Sequence, residues 1–219
     1  YYLSKRMDPQ TFFRTFQWNV KEIALIVKHE KGTLFYDSKA SIFKRDPVLG
    51  DYSVQFLEAA DQCGVKVYCV VNICLDELNS REDRFRTIPL GGPSEEDQEE
   101  PKPIVCPHKE IYNEGLKTVS NELSHLGFLG IISCGAMFAN RNYCFCDDSL
   151  GIFARKHGLD PSSLSNLLQN DFDTRRAWMA WRAESTAAIY GRISEAFNRK
   201  GLLCYNDIDV DARLRREDE

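Results

Sequence analysis

Four short apolar runs, each leading into polar residues, constrain the fold of this chain more than any other feature. They lie at about 22–29, 65–72, 127–134 and 202–205. Each run is apolar almost without alternation, which is typical of strands buried on both faces of a parallel sheet. Stretches with helical spacing of apolar residues separate the runs, for example 52–62 and 110–126. Strands that alternate with helices in this way indicate an α/β fold.

Helix boundaries are marked by capping residues. Asp8-Pro9 and Asp160-Pro161 each combine an N-cap residue with proline at the first helical position. Gly64 and Gly158 follow helical stretches and suit the left-handed backbone of a C-terminal cap. A longer helix is predicted from about residue 174 to 199.

The chain of 219 residues is long enough to bury a substantial core. We interpret residues 1–219 as a single domain with an acidic loop insertion at about 76–105, which contains two glycines, prolines and a run of acidic residues. The net charge of −5 and the lack of a basic stripe argue against a nucleic-acid partner. No apolar run of about 18 residues occurs, so no membrane partner is expected.

Cysteine usage favours a reducing compartment. The chain has eight cysteines, and Cys69 and Cys204 lie in strand-like apolar runs, where cysteine usually acts as a small hydrophobe. The N-terminal stretch is charged and has no apolar segment of the kind found in signal peptides. We therefore expect a cytoplasmic protein with reduced thiols.

Two stretches carry a family resemblance. Residues 25–72, which include Lys28-His29, Gly32 and Tyr36-Asp37-Ser38, resemble the early barrel segment of alpha-L-fucosidases and the related hypothetical glycosyl hydrolase families. Residues 127–160 resemble the strand, loop, CxC element and helix that come later in those proteins. The helix with Trp178, Trp181 and Arg182 is similar to the one that follows there. The resemblance covers roughly residues 20–75 and 105–210.

The resemblance implies a (β/α)8 TIM-barrel-like fold. Four strands are recognisable in this sequence, whereas a closed barrel of eight units typically needs about 250 residues, so we expect a partial or truncated barrel. An open half-barrel exposes strand edges, which favours a homo-oligomer. No cofactor is expected, and carbohydrate is the implied partner.

In such a barrel the site lies at the carboxyl ends of the strands. Polar residues at those ends are the candidates for binding substrate: Lys28, His29, Asn72, Cys134 and Asn206. Nearby carboxylates are the candidates for catalysis: Glu30, Asp207 and Asp209.

The strand that ends at Cys134 departs from the resembled pattern. The family has its nucleophilic aspartate at the end of that strand, and this chain has Cys134 there instead. A retaining glycosidase needs two carboxylates about 5 Å apart. The sequence therefore leaves three hypotheses: a glycoside hydrolase, an inactive relative (a pseudoenzyme) that binds carbohydrate or protein or serves in assembly, and an enzyme that uses Cys134 with His29 as base.

Cys144 and Cys146 form a CxC pair, followed by Ser149 where the resembled pattern has a third cysteine. A structural zinc needs four Cys or His ligands, and Cys106, His108 and His157 are further candidates. A metal site, a disulfide and unbonded thiols all stay open, and no metal is expected as the main interpretation.

Overall fold

Strands and helices alternate along the chain as expected. The computed structural model describes residues 7–15, 20–90, 103–138 and 143–197, together with the backbone of 202–205. The strands are β1 Glu22–Lys28, β2 Thr33–Leu34, β3 Lys44–Arg45, β4 Lys66–Asn72, β5 Gly130–Cys134 and β6 Leu202–Tyr205. The helices are α1 Pro9–Thr15, α2 Tyr52–Gln62, α3 Glu77–Ser80, α4 Glu110–Leu126, α5 Asp147–His157, α6 Pro161–Asn170 and α7 Phe172–Ala196.

All six strands belong to one sheet, in the order β3-β2-β1-β4-β5-β6. The four long strands, β1, β4, β5 and β6, are parallel and adjacent in chain order. This confirms the four predicted strands and the α/β class. Such an order is that of successive units of a (β/α) barrel, but in the described part of the chain the sheet is open, with β3 and β6 at its edges.

The sheet is covered by helices on one face. Residues Val67, Cys69 and Val71 of β4 are buried in a core with side chains of α2, α4 and the end of α7. The residues between them, Tyr68 and Val70, are only half-buried. Ile26 of β1 is 42% exposed. In a closed barrel this second face would be the interior. A homo-oligomer that covers it stays a prediction.

Helix ends follow the capping residues that the sequence contains. The Asp8 carboxylate accepts a hydrogen bond from the Thr11 amide, and the Asp160 carboxylate accepts one from the Ser162 amide. The last helix begins at Phe172, two residues earlier than predicted, because Asp171 caps it by accepting from the Thr174 amide. Among the described helices none is both long and apolar enough to cross a lipid bilayer.

The segment predicted as an acidic loop insertion differs from that expectation in its first part. Leu75 and Ile104 form an antiparallel bridge, so the segment begins and ends at the same point. Residues 76–90 contain α3, and Asp76 and Phe85 in them are buried. This part of the segment is therefore part of the core. The acidic run itself lies outside the described residues.

Candidate functional site

The carboxyl ends of β1, β4 and β5 bring several predicted residues together. Asn72 of β4 is paired in register with Cys134 of β5. The Asn72 side-chain amide donates to the backbone carbonyl oxygen of Lys28 at 3.2 Å, which joins the end of β4 to the end of β1. Asn72 and Cys134 are both partly exposed. Their side chains therefore remain accessible beside each other at this edge of the sheet.

Lys28 is not accessible at that edge, which differs from its predicted role in binding substrate. Its ammonium lies 3.1 Å from an oxygen of Asp76, and both side chains are fully buried. The same ammonium lies over the rings of Phe43 and Tyr112, at 5.1 and 5.7 Å from their centroids. Burial lowers the pKa of Lys28, and the Asp76 carboxylate opposes that effect. An ammonium enclosed in this way does not reach a ligand.

Asp76 is the centre of this buried network. One carboxylate oxygen accepts from the backbone amide of Asn79, and the other accepts from the Asn79 side chain, both at 2.9 Å. The hydroxyl of Tyr112 lies 2.8 Å from the second oxygen and 2.8 Å from the carbonyl oxygen of Ile73. Burial and the neighbouring carboxylate raise the pKa of Tyr112. With all these partners, Asp76 holds the loop after β4 against α4, and its buried carboxylate is not accessible to a substrate.

Asp76 was not among the residues predicted from the sequence. A usable signal was present, because Asp76 directly precedes the short helix α3 as an N-cap residue. Nothing in the sequence, however, pairs Asp76 with Lys28, because the two residues are far apart along the chain. The Lys28 ammonium also donates to the backbone carbonyl oxygen of Leu75, which lies 47 positions away from it.

His29 and Glu30 follow β1 directly. The His29 ring is partly exposed, and its Nδ1 accepts from the Lys31 amide at 3.2 Å. Glu30 is exposed, and its backbone carbonyl accepts from the Glu77 amide. The first contact uses the His29 side chain itself, and the second fixes the backbone of Glu30, and both residues lie at the surface directly after β1. Of the predicted catalytic carboxylates, Glu30 is thus the one that the structure describes.

The remaining candidates of the fourth strand end, Asn206, Asp207 and Asp209, lie outside the described residues. The pair of carboxylates that hydrolysis needs is therefore not tested, and their catalytic role stays a prediction. For Cys134, burial raises the thiol pKa, which disfavours the thiolate that a cysteine nucleophile requires.

A surface groove in the described part of the chain does not coincide with these strand ends. It has a volume of about 680 Å³ and lies between α1 and the loop that precedes α2. Arg45, Asp46 and Tyr52 are among its lining residues, and none of the strand-end candidates lines it. It therefore does not add to the predicted site.

A second group of residues stands apart from the strand ends. Cys106 lies beside Cys144 and Cys146, and the three sulfur atoms all lie within 4.8 Å of one another. All three side chains are buried, and the described cysteines are free thiols. Among the described residues this is the group of Cys, His, Asp and Glu side chains that could hold a metal ion. His157 is not in the group; its ring lies 4.2 Å from that of Phe153.

Ser149 and His108 border the three thiols. The Ser149 hydroxyl oxygen lies 3.4 Å from the sulfurs of both Cys106 and Cys146, and 2.7 Å from His108 Nδ1. The His108 ring stacks on Trp181, with centroids 4.3 Å apart. Burial lowers the pKa of His108 to about 4, so the ring is neutral at pH 7. Hydrogen bonds from the other two thiols lower the pKa of Cys146.

Comparison with solved structures identifies the fold. The alpha-L-fucosidase isoenzyme 2 from Paenibacillus thiaminolyticus matches 92% of this chain with a TM-score of 0.62 and 19% sequence identity. The glycoside hydrolase domain of PgaB (BpsB) from Bordetella bronchiseptica matches 85% with a TM-score of 0.58 and 10% identity. The chain has a glycoside hydrolase-like fold.

The chain spans only part of the length of those two proteins, 29% of the fucosidase and 54% of the PgaB domain. A hypothetical protein from Ruminiclostridium thermocellum is matched over 90% of its length, and 91% of this chain, with a TM-score of 0.57 and 13% identity. No protein-family model matches the sequence, and a comparison with curated proteins gives no match. At these identities the likeness establishes the fold alone.

Proposed function

We propose that this chain binds carbohydrate at the carboxyl ends of β1, β4 and β5, without hydrolysing it through those residues. The observation that carries the proposal is the meeting of Asn72 and Cys134 in register at the strand ends, next to His29, in a glycoside hydrolase-like fold. Sites in barrels of this kind lie at the strand ends. Partly exposed amide and imidazole groups offer the donors and acceptors that sugar hydroxyls require.

The chemistry at these strand ends supports binding more than hydrolysis. Both mechanisms of glycoside hydrolysis use two carboxylates that flank the scissile bond. Here Asp76 is buried and fully engaged by Lys28, Asn79 and Tyr112. Cys134 ends β5, where the resembled family has its nucleophilic aspartate. A thiol does not provide the negative charge that stabilises an oxocarbenium-like transition state.

Binding is tested by titrating the chain with a panel of oligosaccharides in a calorimeter. We expect His29→Ala to weaken binding of the best ligand by about fivefold, since one lost hydrogen bond contributes about 1 kcal/mol. His125→Ala is the matched control, because His125 is an exposed histidine on the last turn of α4. Equal affinities of the two variants, or no sugar bound by the folded protein, would contradict the proposal.

The second candidate function is glycoside hydrolysis by Glu30 together with Asp207 or Asp209. It is favoured by the position of Glu30, exposed directly after β1. If this candidate is right, the protein turns over an aryl-glycoside, and Glu30→Gln and Asp207→Asn lower kcat by about 10²-fold or more. Glu77→Gln, which changes a neighbouring, partly exposed glutamate in an ion pair with Arg81, should leave turnover unchanged. That result would replace the binding-only proposal.

A further inference from the structure

The three buried thiols of Cys106, Cys144 and Cys146 have the spacing of a metal ligand set. The sulfurs of Cys106 and Cys146 lie 3.6 Å apart, and all three lie within 4.8 Å of one another. With Zn–S bonds of about 2.3 Å, two thiolates of a tetrahedral site lie about 3.8 Å apart. Small shifts of the side chains would therefore place one ion at bonding distance from all three sulfurs.

The Ser149 hydroxyl lies beside two of the three sulfurs. Its oxygen lies 3.4 Å from the sulfurs of both Cys106 and Cys146. With Zn–O and Zn–S bonds of about 2.0 and 2.3 Å, the oxygen and sulfur ligands of a tetrahedral ion lie about 3.5 Å apart. His108 Nδ1, at 2.7 Å, can accept a hydrogen bond from the hydroxyl group, which leaves the lone pairs of the oxygen for the ion.

Other uses of buried cysteine do not explain this cluster. Cys69 and Cys74 are buried cysteines that belong to the main hydrophobic core, where they act as small apolar side chains. The three cysteines of the cluster pack instead against one another, at the meeting point of two loops. A disulfide would use two thiols and leave the third unpaired.

We propose that Cys106, Cys144, Cys146 and Ser149 form a binding site for one divalent cation of the zinc class. Three thiolates select a soft or borderline ion, and zinc accepts tetrahedral sets of sulfur with oxygen or nitrogen. The thiols that are protonated before binding release their protons to solvent when the ion enters. The ion joins the loop before α4, which contains Cys106, to the segment before α5, which contains Cys144 and Cys146. It thereby connects the end of the 76–105 segment to the helices α5, α6 and α7.

The proposal is tested on the whole chain purified under reducing conditions. Metal analysis should find zinc in a one-to-one ratio with protein, and Co²⁺ titration of the metal-free protein should give sulfur-to-cobalt charge-transfer bands that saturate at the same ratio. Cys106→Ala and Cys146→Ala, which leave no ligand atom, should lose the metal. Cys63→Ala is the matched control, because Cys63 is exposed and lies outside the cluster, and it should keep the metal.

A substituted cysteine in the core can also prevent folding, so a second variant keeps all three thiols. Ser149→Cys supplies a fourth thiolate, and we expect it to intensify the cobalt charge-transfer bands and to tighten binding at least tenfold. Chelation of the wild-type protein should lower its unfolding temperature by about 5–10 °C. The proposal is overturned if reduced, folded wild-type protein gives no thiolate-to-cobalt bands, or if the Cys106→Ala variant folds and retains the metal.

Discussion

Asp76 neutralises a buried ammonium, so the free energy of unfolding should depend strongly on its charge. Its carboxylate lies 3.1 Å from Lys28 Nζ in a fully buried pair. Asp76→Asn keeps the size of the side chain but leaves the Lys28 charge without a counter-ion. We expect a loss of about 3–5 kcal/mol in the free energy of unfolding, measured by urea denaturation. Asp51→Asn, in the exposed pair with Arg45, is the matched control and should cost about 0–1 kcal/mol.

The double variant separates charge from shape at this site. Lys28→Met combined with Asp76→Asn removes both charges, so it should be more stable than Asp76→Asn alone. A double variant that is less stable than Asp76→Asn would show that the ion pair is not what makes Asp76 sensitive.

Gly32 is required by the same network. Its φ is +88°, and a Cβ at this position would lie 2.0 Å from Asp76 Oδ1. Gly64 has a φ of +67° with open space around it, so Gly64→Ala reports the backbone strain alone, about 1–2 kcal/mol. We expect Gly32→Ala to cost at least about 2 kcal/mol more than Gly64→Ala in urea denaturation, because a contact with a fixed buried side chain adds to the strain. Equal costs would show that Asp76 moves freely.

Glu122 of helix α4 makes three hydrogen bonds to the loop that follows β2. The Glu122 carboxylate accepts from the Tyr36 hydroxyl, the Ser38 hydroxyl and the Lys39 amide, at 3.0, 2.6 and 2.8 Å. Glu122→Ala removes all three partners, and each hydrogen bond to a charged group contributes about 1.5–3 kcal/mol. We therefore expect the Lys39 amide to exchange its hydrogen at least about tenfold faster.

Glu114→Ala on the same helix is the control for this experiment, because Glu114 forms an exposed ion pair with Lys117. Hydrogen–deuterium exchange read by mass spectrometry distinguishes the two variants. Unchanged exchange over residues 36–40 in Glu122→Ala would mean that the loop is held by its apolar contacts alone.

Elements with strong local signals were predictable from the sequence, and those that depend on distant partners were not. The Asp-Pro pair at 160 and the glycine at 158 place the end of α5 and the start of α6 where the structure has them. β2 and β3 have two residues each, too few for any periodicity to be recognised. In the candidate metal site, the CxC spacing indicated two of the three thiols and Cys106 was one of three further candidates, but only the tertiary fold shows that Cys106 joins the pair and His157 does not.

The burial of Lys28 and Asp76 could not be predicted for a different physical reason. Charged residues at a strand end and in a loop usually face solvent, and the sequence contains no measure of the contacts that compensate their burial. For the same reason the sequence did not distinguish the strand-end candidates by their exposure: Asn72 and Cys134 are accessible, and Lys28 is enclosed.

The described chain has two main hydrophobic clusters, and α7 contributes to both. The first cluster contains the sheet, α2 and α4, together with Ile189 and Ile193 of α7. The second contains α5 and α6, together with Trp178 and Trp181 of α7. A single helix that packs into both clusters couples them, while each cluster retains its own side-chain contacts. This arrangement favours local unfolding of the smaller cluster without loss of the sheet.

Trp178 is the side chain that tests this coupling. It is 1% exposed, and its ring stacks on Phe145 at 5.1 Å and contacts Phe153 at 5.0 Å between centroids. Trp178→Ala leaves a cavity that should cost the smaller cluster about 3–5 kcal/mol. We expect hydrogen exchange over residues 147–170 to accelerate by at least about a hundredfold, since every 1.4 kcal/mol is a factor of ten, while exchange in β1, β4 and β5 changes little.

Phe172→Ala is the control, because it removes an aromatic ring from the same helix at a position that is 76% exposed, so hydrogen exchange in this variant should match that of the wild-type protein. If hydrogen exchange accelerates equally in the sheet and in α5 and α6, the chain unfolds as one cooperative unit. In that case α7 couples the two clusters so strongly that the smaller one does not unfold by itself.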